Sequence, residues 1–220
     1  MDLSLRRMQL REKRMSESGT VVSAKDVKKL RDMTGAGMME CKRALMEMEG
    51  DIEKGVDLLR AKGAAKVAKR AGKAANEGTI GSYVHFDNKT AVIVELNCET
   101  DFVANTDDFR ALAKDLALHI ASSAPIAVSR DQIPDEVLER ERSVYIEQVK
   151  EGDPKPDHIV DKIVEGKMSK FLKNNTLLAQ EFVKDQDKTI EELITEVSAR
   201  TGEKIGVGRF SRIKVGEEPT

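Results

Sequence analysis

The sequence predicts an α+β fold, in which a small antiparallel sheet is packed by helices. Over most of the 220 residues, apolar side chains recur at spacings of three and four, the period of amphipathic helices. The period changes to two between residues 80 and 98, and a second strand-like run, IGVGRFSRIKV, occupies residues 205–215. Because these strands flank a helical region, we expect the last strand to join the first two in one sheet.

The N-terminal part, residues 23–63, predicts three short helices. Ser23 and Asp26 form an S-x-x-D capping box ahead of the first helix, and Gly63 is a stop signal for the third. A bundle of this size resembles a ubiquitin-associated domain. Residues 1–22 precede the capping box and are predicted to form a flexible tail.

A basic helical linker is predicted for residues 64–77. The segment is rich in alanine, which favours a helix. Its cations recur at helical spacing and form a basic stripe, which in most proteins is a solvated face: Lys66, Lys69, Arg70 and Lys73.

The remaining residues, 78–217, predict the α+β core, which is also the expected dimerisation domain. A β-hairpin turns at residues 87–89, and Thr106 is a candidate N-cap for the helix that follows. Further helices are expected at residues 134–150 and 157–173, and Thr189 is expected to cap the last one. The helix after Thr106 carries one apolar face: Phe109, Leu112, Leu116 and Ile120.

Composition excludes several classes of protein. No run of about 18 apolar residues exists, so no membrane partner is expected. The two cysteines, Cys41 and Cys98, lie far apart, which favours reduced thiols and a cytoplasmic protein. Residues 1–75 carry a net charge of +7 and the remainder −9. This asymmetry is unlike a uniformly basic nucleic-acid binder, and it suits a basic module that docks on an acidic protein surface.

The sequence contains no recognisable catalytic motif. A phosphate-binding loop, a nucleophile elbow, an H-E-x-x-H pair and a dinucleotide-binding glycine series are all absent. We therefore predict no enzyme activity, no cofactor and no metal site. A role in nucleotide chemistry would have to act through a partner that binds the nucleotide itself.

One segment between the hairpin and the next helix has two interpretations. Thr100, Asp101, Phe102 and Val103 follow the second strand directly. Phe102 could plug the junction of sheet and helix, with Asp101 capping a turn, since most aromatic residues pack in cores. Alternatively, Phe102 is an exposed aromatic beside a carboxylate, a usual anchor for the pocket of a partner.

Five motifs stand in order along the chain, and the two longest are VKKLRDMTGAGMMECKRAL, residues 27–45, and ELNCETDFVANTDDF, residues 95–109. Together they resemble the bacterial translation elongation factor Ts family. DLALHIASSAP, KIVEGKMSKFL and QEFVKD follow in the order expected of the family, so the resemblance covers residues 23–215, nearly the whole chain.

The resemblance implies a guanine-nucleotide exchange factor that acts by binding. Members of the family promote GDP release from elongation factor Tu, the GTPase that carries aminoacyl-tRNA to the ribosome. The matching segment Thr100–Val103 would insert Asp101 and Phe102 between helices of the GTPase domain, disturb its Mg²⁺ site and so release GDP.

The resemblance also implies contacts with the same GTPase elsewhere in the chain. The apolar spacing places Met38 on the core face of its helix, and Met39 lies about 100° away on an ideal helix, towards solvent. His119 matches a family contact, and its alternative is a core histidine. The basic stripe contributes two residues that would steer docking. The implied set is Lys28, Arg31, Met38, Met39, Lys69, Arg70 and His119.

The length of the chain resembles the short form of the family, without a second core copy or a long heptad segment. We therefore expect a homodimer that binds two GTPases, with the sheet region as the interface. The main alternative function is a ubiquitin-associated-like module that binds nascent chains or RNA through the basic stripe.

Overall fold

A computed structural model describes residues 22–152 and 156–217 of the chain. The predicted α+β class is confirmed, with an antiparallel sheet and an N-terminal helical bundle. The chain divides into two compact units, and the boundary lies between Lys66 and Val67. The predicted tail, residues 1–22, lies outside the described residues except for Val22.

Three helices form the N-terminal unit: α1 (Ala24–Thr34), α2 (Met38–Glu47) and α3 (Ile52–Lys69), which continues past the boundary. The Ser23 hydroxyl accepts from the Asp26 backbone N–H, as the capping pattern predicts. The helices enclose a small apolar core, which consists of Val27, Leu30, Cys41, Ala44 and Leu45.

Two predictions for this region are wrong. Gly63 does not end the third helix, because α3 runs on to Lys69 with Gly63 buried inside it. A glycine inside a helix costs only about 1 kcal/mol, and the alanine-rich residues that follow favour continuation. The helix then stops at Lys69 rather than extending through the predicted linker, and residues 70–73 form turns and a bend.

The second unit contains the sheet and the remaining helices. In chain order its elements are β1 (Glu77–Val84), β2 (Thr90–Cys98), α4 (Asp101–Ala104), α5 (Asp107–Ser123), α6 (Asp135–Lys150), α7 (Asp157–Asn175), β3 (Glu181–Phe182), β4 (Asp185–Thr189), α8 (Ile190–Thr201) and β5 (Gly206–Lys214). Short 3-10 turns lie at Arg130–Gln132 and Leu177–Ala179.

The main sheet has the strand order β1-β2-β5, with both pairs antiparallel. This confirms that the last strand joins the hairpin. Helix α5 covers one face, where alternate residues of β2 are buried. The contact is close at Gly81, since a Cβ atom there would lie 2.2 Å from the carbonyl oxygen of Ala113. The buried β2 residues are Val92, Val94, Leu96 and Cys98.

The other face of the sheet is uncovered within the described chain. Four large apolar side chains on it are more than half exposed: Ile80, Val84, Ile93 and Ile213. We call this set the outer sheet face. Ile93 lies on the central strand, opposite Ser82 on one side and Ser211 on the other.

Helices α6 and α7 pack as an antiparallel pair with cores of their own. Val149, near the end of α6, packs with Val160 and Val164 near the start of α7. Leu138, near the start of α6, packs towards Phe171 at the far end of α7. A β3–β4 hairpin follows, which the sequence pattern does not indicate because β4 reads DQDKT and lacks the apolar alternation of a strand.

Candidate partner-binding site

The segment Thr100–Val103 opens a four-residue helix at the end of β2. Thr100 is in an extended conformation, and its hydroxyl accepts a hydrogen bond from the Val103 N–H at 3.5 Å. Six residues after Thr100, Thr106 caps helix α5 in the same way, as its sequence predicts, accepting from the Phe109 N–H at 3.3 Å. Two consecutive caps therefore define the path of the chain between the sheet and α5.

Phe102 lies on the solvent side of this short helix. Its side chain is 82% exposed, and Asp101 is exposed beside it, whereas Ala104 is buried against the sheet and Val103 is half-buried. Phe102 therefore does not plug the junction between sheet and helix. Thr100, rather than Asp101, provides the cap. Phe102 is thus an exposed aromatic side chain on a segment whose other side packs against the protein.

Two carboxylates that the sequence did not single out lie behind the segment. Glu203, in the loop between α8 and β5, accepts from the backbone N–H groups of Glu99 and Thr100, both at 3.1 Å. Glu99 accepts two hydrogen bonds from the guanidinium of Arg70, at 2.8 and 2.7 Å. No local signal points to this set, because Thr100 and Glu203 are 103 residues apart.

Glu99 remains ionised in this setting. Hydrogen bonds from the Arg70 side chain and then from the Lys204 backbone stabilise its charged form and lower its pKa to about 2. Arg70 is therefore engaged in an ion pair inside the second unit rather than projecting freely from the basic stripe.

The other three cations of the basic stripe differ in their surroundings. Lys66 pairs with Glu40 within the N-terminal unit, while Lys69 and Lys73 are exposed. Two of the four cations thus have carboxylate partners. This arrangement does not favour a continuous basic track along the linker, which the RNA-binding alternative requires.

His119 is fully buried, which matches the alternative of a core histidine. Its Nδ1 accepts from the Val183 N–H at 3.3 Å, and its Nε2 lies 2.9 Å from the side-chain oxygen of Gln180. This pairing assigns the neutral tautomer with the proton on Nε2. Burial lowers the pKa of His119, against the opposing effect of Gln180. In this structure the ring has no exposed surface to offer a partner.

The remaining predicted contacts lie on the N-terminal unit. Lys28 and Arg31 are exposed on α1. On α2, Met38 is 46% and Met39 is 65% exposed. The prediction that Met38 faces the core is therefore wrong. It is the first residue of the helix, directly after Gly37, and the buried residues of α2 begin only at Cys41. Both methionines are open to solvent.

The described ranges, 22–152 and 156–217, hold no group of three or more His, Cys, Asp or Glu side chains that could bind a metal ion. Within those ranges no helix is long and apolar enough to cross a membrane.

An exposed aromatic on a segment that is hydrogen-bonded from behind is typical of a protein that binds another macromolecule. The chain matches the family model described as "Elongation factor TS" over residues 15–217. It is 51% identical over 197 residues to elongation factor Ts of Thermosipho melanesiensis, covering 90% of this chain and 100% of that protein. The elongation factors Ts of Thermotoga neapolitana and Syntrophomonas wolfei are also 51% identical over 90% of this chain, and the match covers 98% and 92% of those proteins.

The chain belongs to the elongation factor Ts family. Membership makes it a nucleotide exchange factor of translation elongation that serves elongation factor Tu, rather than a catalytic enzyme in its own right.

Proposed function

We propose that this chain releases GDP from elongation factor Tu by inserting Phe102, with Asp101 beside it, into the GTPase domain. The insertion displaces the Mg²⁺ ion of the GTPase. The observation that carries the proposal is the 82% exposure of Phe102 on a segment whose backbone is hydrogen-bonded from behind.

The mechanism is linkage between two ligands of one GTPase. A factor that binds the nucleotide-free state best must weaken nucleotide binding by the same free energy. Loss of Mg²⁺ removes the main neutralising charge on the diphosphate, so GDP dissociates faster. No group of the exchange factor needs to touch the nucleotide.

The energy available from Phe102 suits this role. Complete burial of a phenylalanine side chain contributes about 1.5–3 kcal/mol, and each tenfold loss of GDP affinity needs about 1.4 kcal/mol. Phe102 thus accounts for about one to two factors of ten. Met38, Met39, Lys28 and Arg31 are exposed on the N-terminal unit and supply a second contact surface in the proposal.

GDP release measures this mechanism directly. Fluorescent GDP bound to elongation factor Tu is chased with unlabelled GDP in the presence of wild type, Phe102→Ala, Asp101→Ala or Phe86→Ala. We expect Phe102→Ala to slow exchange about 10- to 100-fold, with a smaller loss for Asp101→Ala. Phe86 is 88% exposed at the hairpin tip, so Phe86→Ala is the matched control and should retain exchange.

The outcomes separate function from mechanism. A wild-type protein that does not accelerate GDP release contradicts the exchange function. Full activity in a Phe102→Ala/Asp101→Ala double variant leaves the function standing and rejects the wedge.

We also propose that two copies associate through the outer sheet face and bind two GTPases. Ile80, Val84, Ile93 and Ile213 form an exposed apolar set, and such patches on soluble proteins mark interaction surfaces. A second copy is the proposed occupant because the chain resembles the short form of its family. A symmetric dimer uses the same patch twice, and these residues span all three strands.

Analytical ultracentrifugation tests the dimer. Wild type should sediment with twice the mass of one chain, and Ile93→Glu should sediment as a monomer. The matched control is Ile126→Glu, because Ile126 is 44% exposed outside the sheet. A monomeric wild type, or a dimer that survives Ile93→Glu, contradicts the proposed interface.

A further inference from the structure

The support of the Phe102 segment comes from a distant part of the chain. Glu203 follows Gly202, the left-handed residue that ends α8. One carboxylate oxygen of Glu203 accepts from the N–H groups of Glu99 and Thr100, both at 3.1 Å. The other oxygen accepts from the Thr100 hydroxyl at 2.6 Å. Three donors therefore converge on a single side chain.

These hydrogen bonds orient the cap of helix α4. The Thr100 hydroxyl donates its proton to Glu203 and accepts from the Val103 N–H. Because the proton is committed to Glu203, a lone pair of the hydroxyl faces Val103. Phe102 lies between Thr100 and Val103, the two residues that this hydrogen bond joins. The Glu203 carboxylate therefore also restrains the backbone at Phe102.

Glu203 is itself held on both sides. Its carbonyl accepts from the Ser198 hydroxyl, and its N–H donates to the Thr201 hydroxyl at 3.4 Å. The next residue, Lys204, donates its backbone N–H to Glu99 at 2.6 Å. The loop after α8 is thus tied to its own helix and to the residue that precedes Thr100.

We propose that Glu203 is a positioning residue for nucleotide exchange, which fixes Thr100 and thereby the direction in which Phe102 projects. The inference rests on the proposed role of Phe102. An exposed anchor on a loose segment would lose ordering entropy on binding. Hydrogen bonds to Glu203 order the segment beforehand, so more of the burial energy of Phe102 acts on the GTPase. Glu203 itself touches no reacting group.

The experiment measures GDP release from elongation factor Tu by Glu203→Ala in two backgrounds, wild type and Phe102→Ala. We expect Glu203→Ala to slow exchange by about tenfold in the wild-type background, since small displacements of a positioned group are costly. In the Phe102→Ala background it should cause no further loss above the residual rate. Glu181→Ala, which removes an exposed carboxylate paired with Lys173, is the matched control and should retain exchange.

A conservative variant tests whether the hydrogen bonds or the charge matter. In Glu203→Gln the side-chain oxygen can still accept from both backbone N–H groups, while the NH2 group donates to the Thr100 hydroxyl, which reverses that one hydrogen bond. The hydroxyl has two lone pairs, so it can accept from the new NH2 group and from the Val103 N–H together, and the variant should retain most of the activity. A large loss in Glu203→Gln overturns positioning by hydrogen bonds. Thr100→Val removes the hydroxyl at constant volume and should slow exchange without adding to Glu203→Ala.

Thermal unfolding of each variant is measured beside the kinetics. If Glu203→Ala is unfolded at the assay temperature, Thr100→Val replaces it, and its effect on GDP release is compared in the wild-type and Phe102→Ala backgrounds. Wild-type activity in a folded Glu203→Ala overturns the inference and leaves the proposed function intact. An equal loss in both backgrounds also overturns it, because a merely structural role does not depend on Phe102. Failure of wild type itself to release GDP rejects the proposed function instead.

Discussion

Two phenylalanines seven residues apart have opposite environments. Phe102 on α4 is 82% exposed, whereas Phe109 in the first turn of α5 is fully buried. Each follows a threonine that caps its helix. The comparison teaches that local capping fixes where a helix begins, while the packing of neighbouring elements decides which side chains are covered. Phe109 faces the sheet under α5, and nothing in the described chain covers Phe102.

The largest expected effect follows from removing the buried member of the pair. Phe109→Ala should destabilise the protein by about 3–5 kcal/mol, because it removes transfer energy and leaves a cavity. Phe102→Ala should change stability by less than about 0.5 kcal/mol, since its side chain is already solvated. Urea-induced unfolding measures both. A comparable loss in the two variants would contradict the difference in burial.

A smaller effect on stability is expected from His119, which is buried on α5 like Phe109. Its pKa is lowered in the folded protein, so below about pH 6.5 the unfolded chain binds more protons. Stability should fall as pH drops from about 6.5 towards the folded pKa, by at most about 1.4 kcal/mol per pH unit. Urea unfolding of wild type and His119→Gln between pH 7.5 and 5 measures this.

The slope of stability against pH should be smaller in His119→Gln than in wild type. His158→Gln is the matched control, because it removes an exposed histidine on α7. Equal slopes in wild type and His119→Gln would show that His119 does not resist protonation. If His119→Gln keeps full stability but loses GDP-exchange activity, the result would support a direct contact between His119 and the GTPase.

Much of the fold was predictable from the sequence because its signals are local. Thr106 and Thr189 cap their helices as predicted, and Thr189 completes a capping box with Glu192. The hairpin and the closing strand followed from period-two alternation. Gly63 shows where a local signal misleads, because a helix passes through a glycine when the flanking residues favour it.

The candidate site was predictable only in part. The motif around Thr100–Val103 identified the segment, and the side-chain pattern left the exposure of Phe102 open. Glu203 was missed because hydrogen bonds across 103 residues leave no periodic trace in a single sequence. His119 lies on the apolar face of α5, yet its burial depends on Gln180 and Val183, which come from a separate part of the chain.

By itself the sequence determined the order of most helices and of the three strands in the main sheet, several helix caps and the membership of the chain in its family. These depend on neighbours within a few positions or on motifs read directly from the residues. Only the tertiary structure decided that Phe102 projects, that His119 is enclosed, that Arg70 binds Glu99 and that Glu203 holds Thr100. Exposure and hydrogen bonding between distant residues are properties of packing, and packing is settled when separate elements meet.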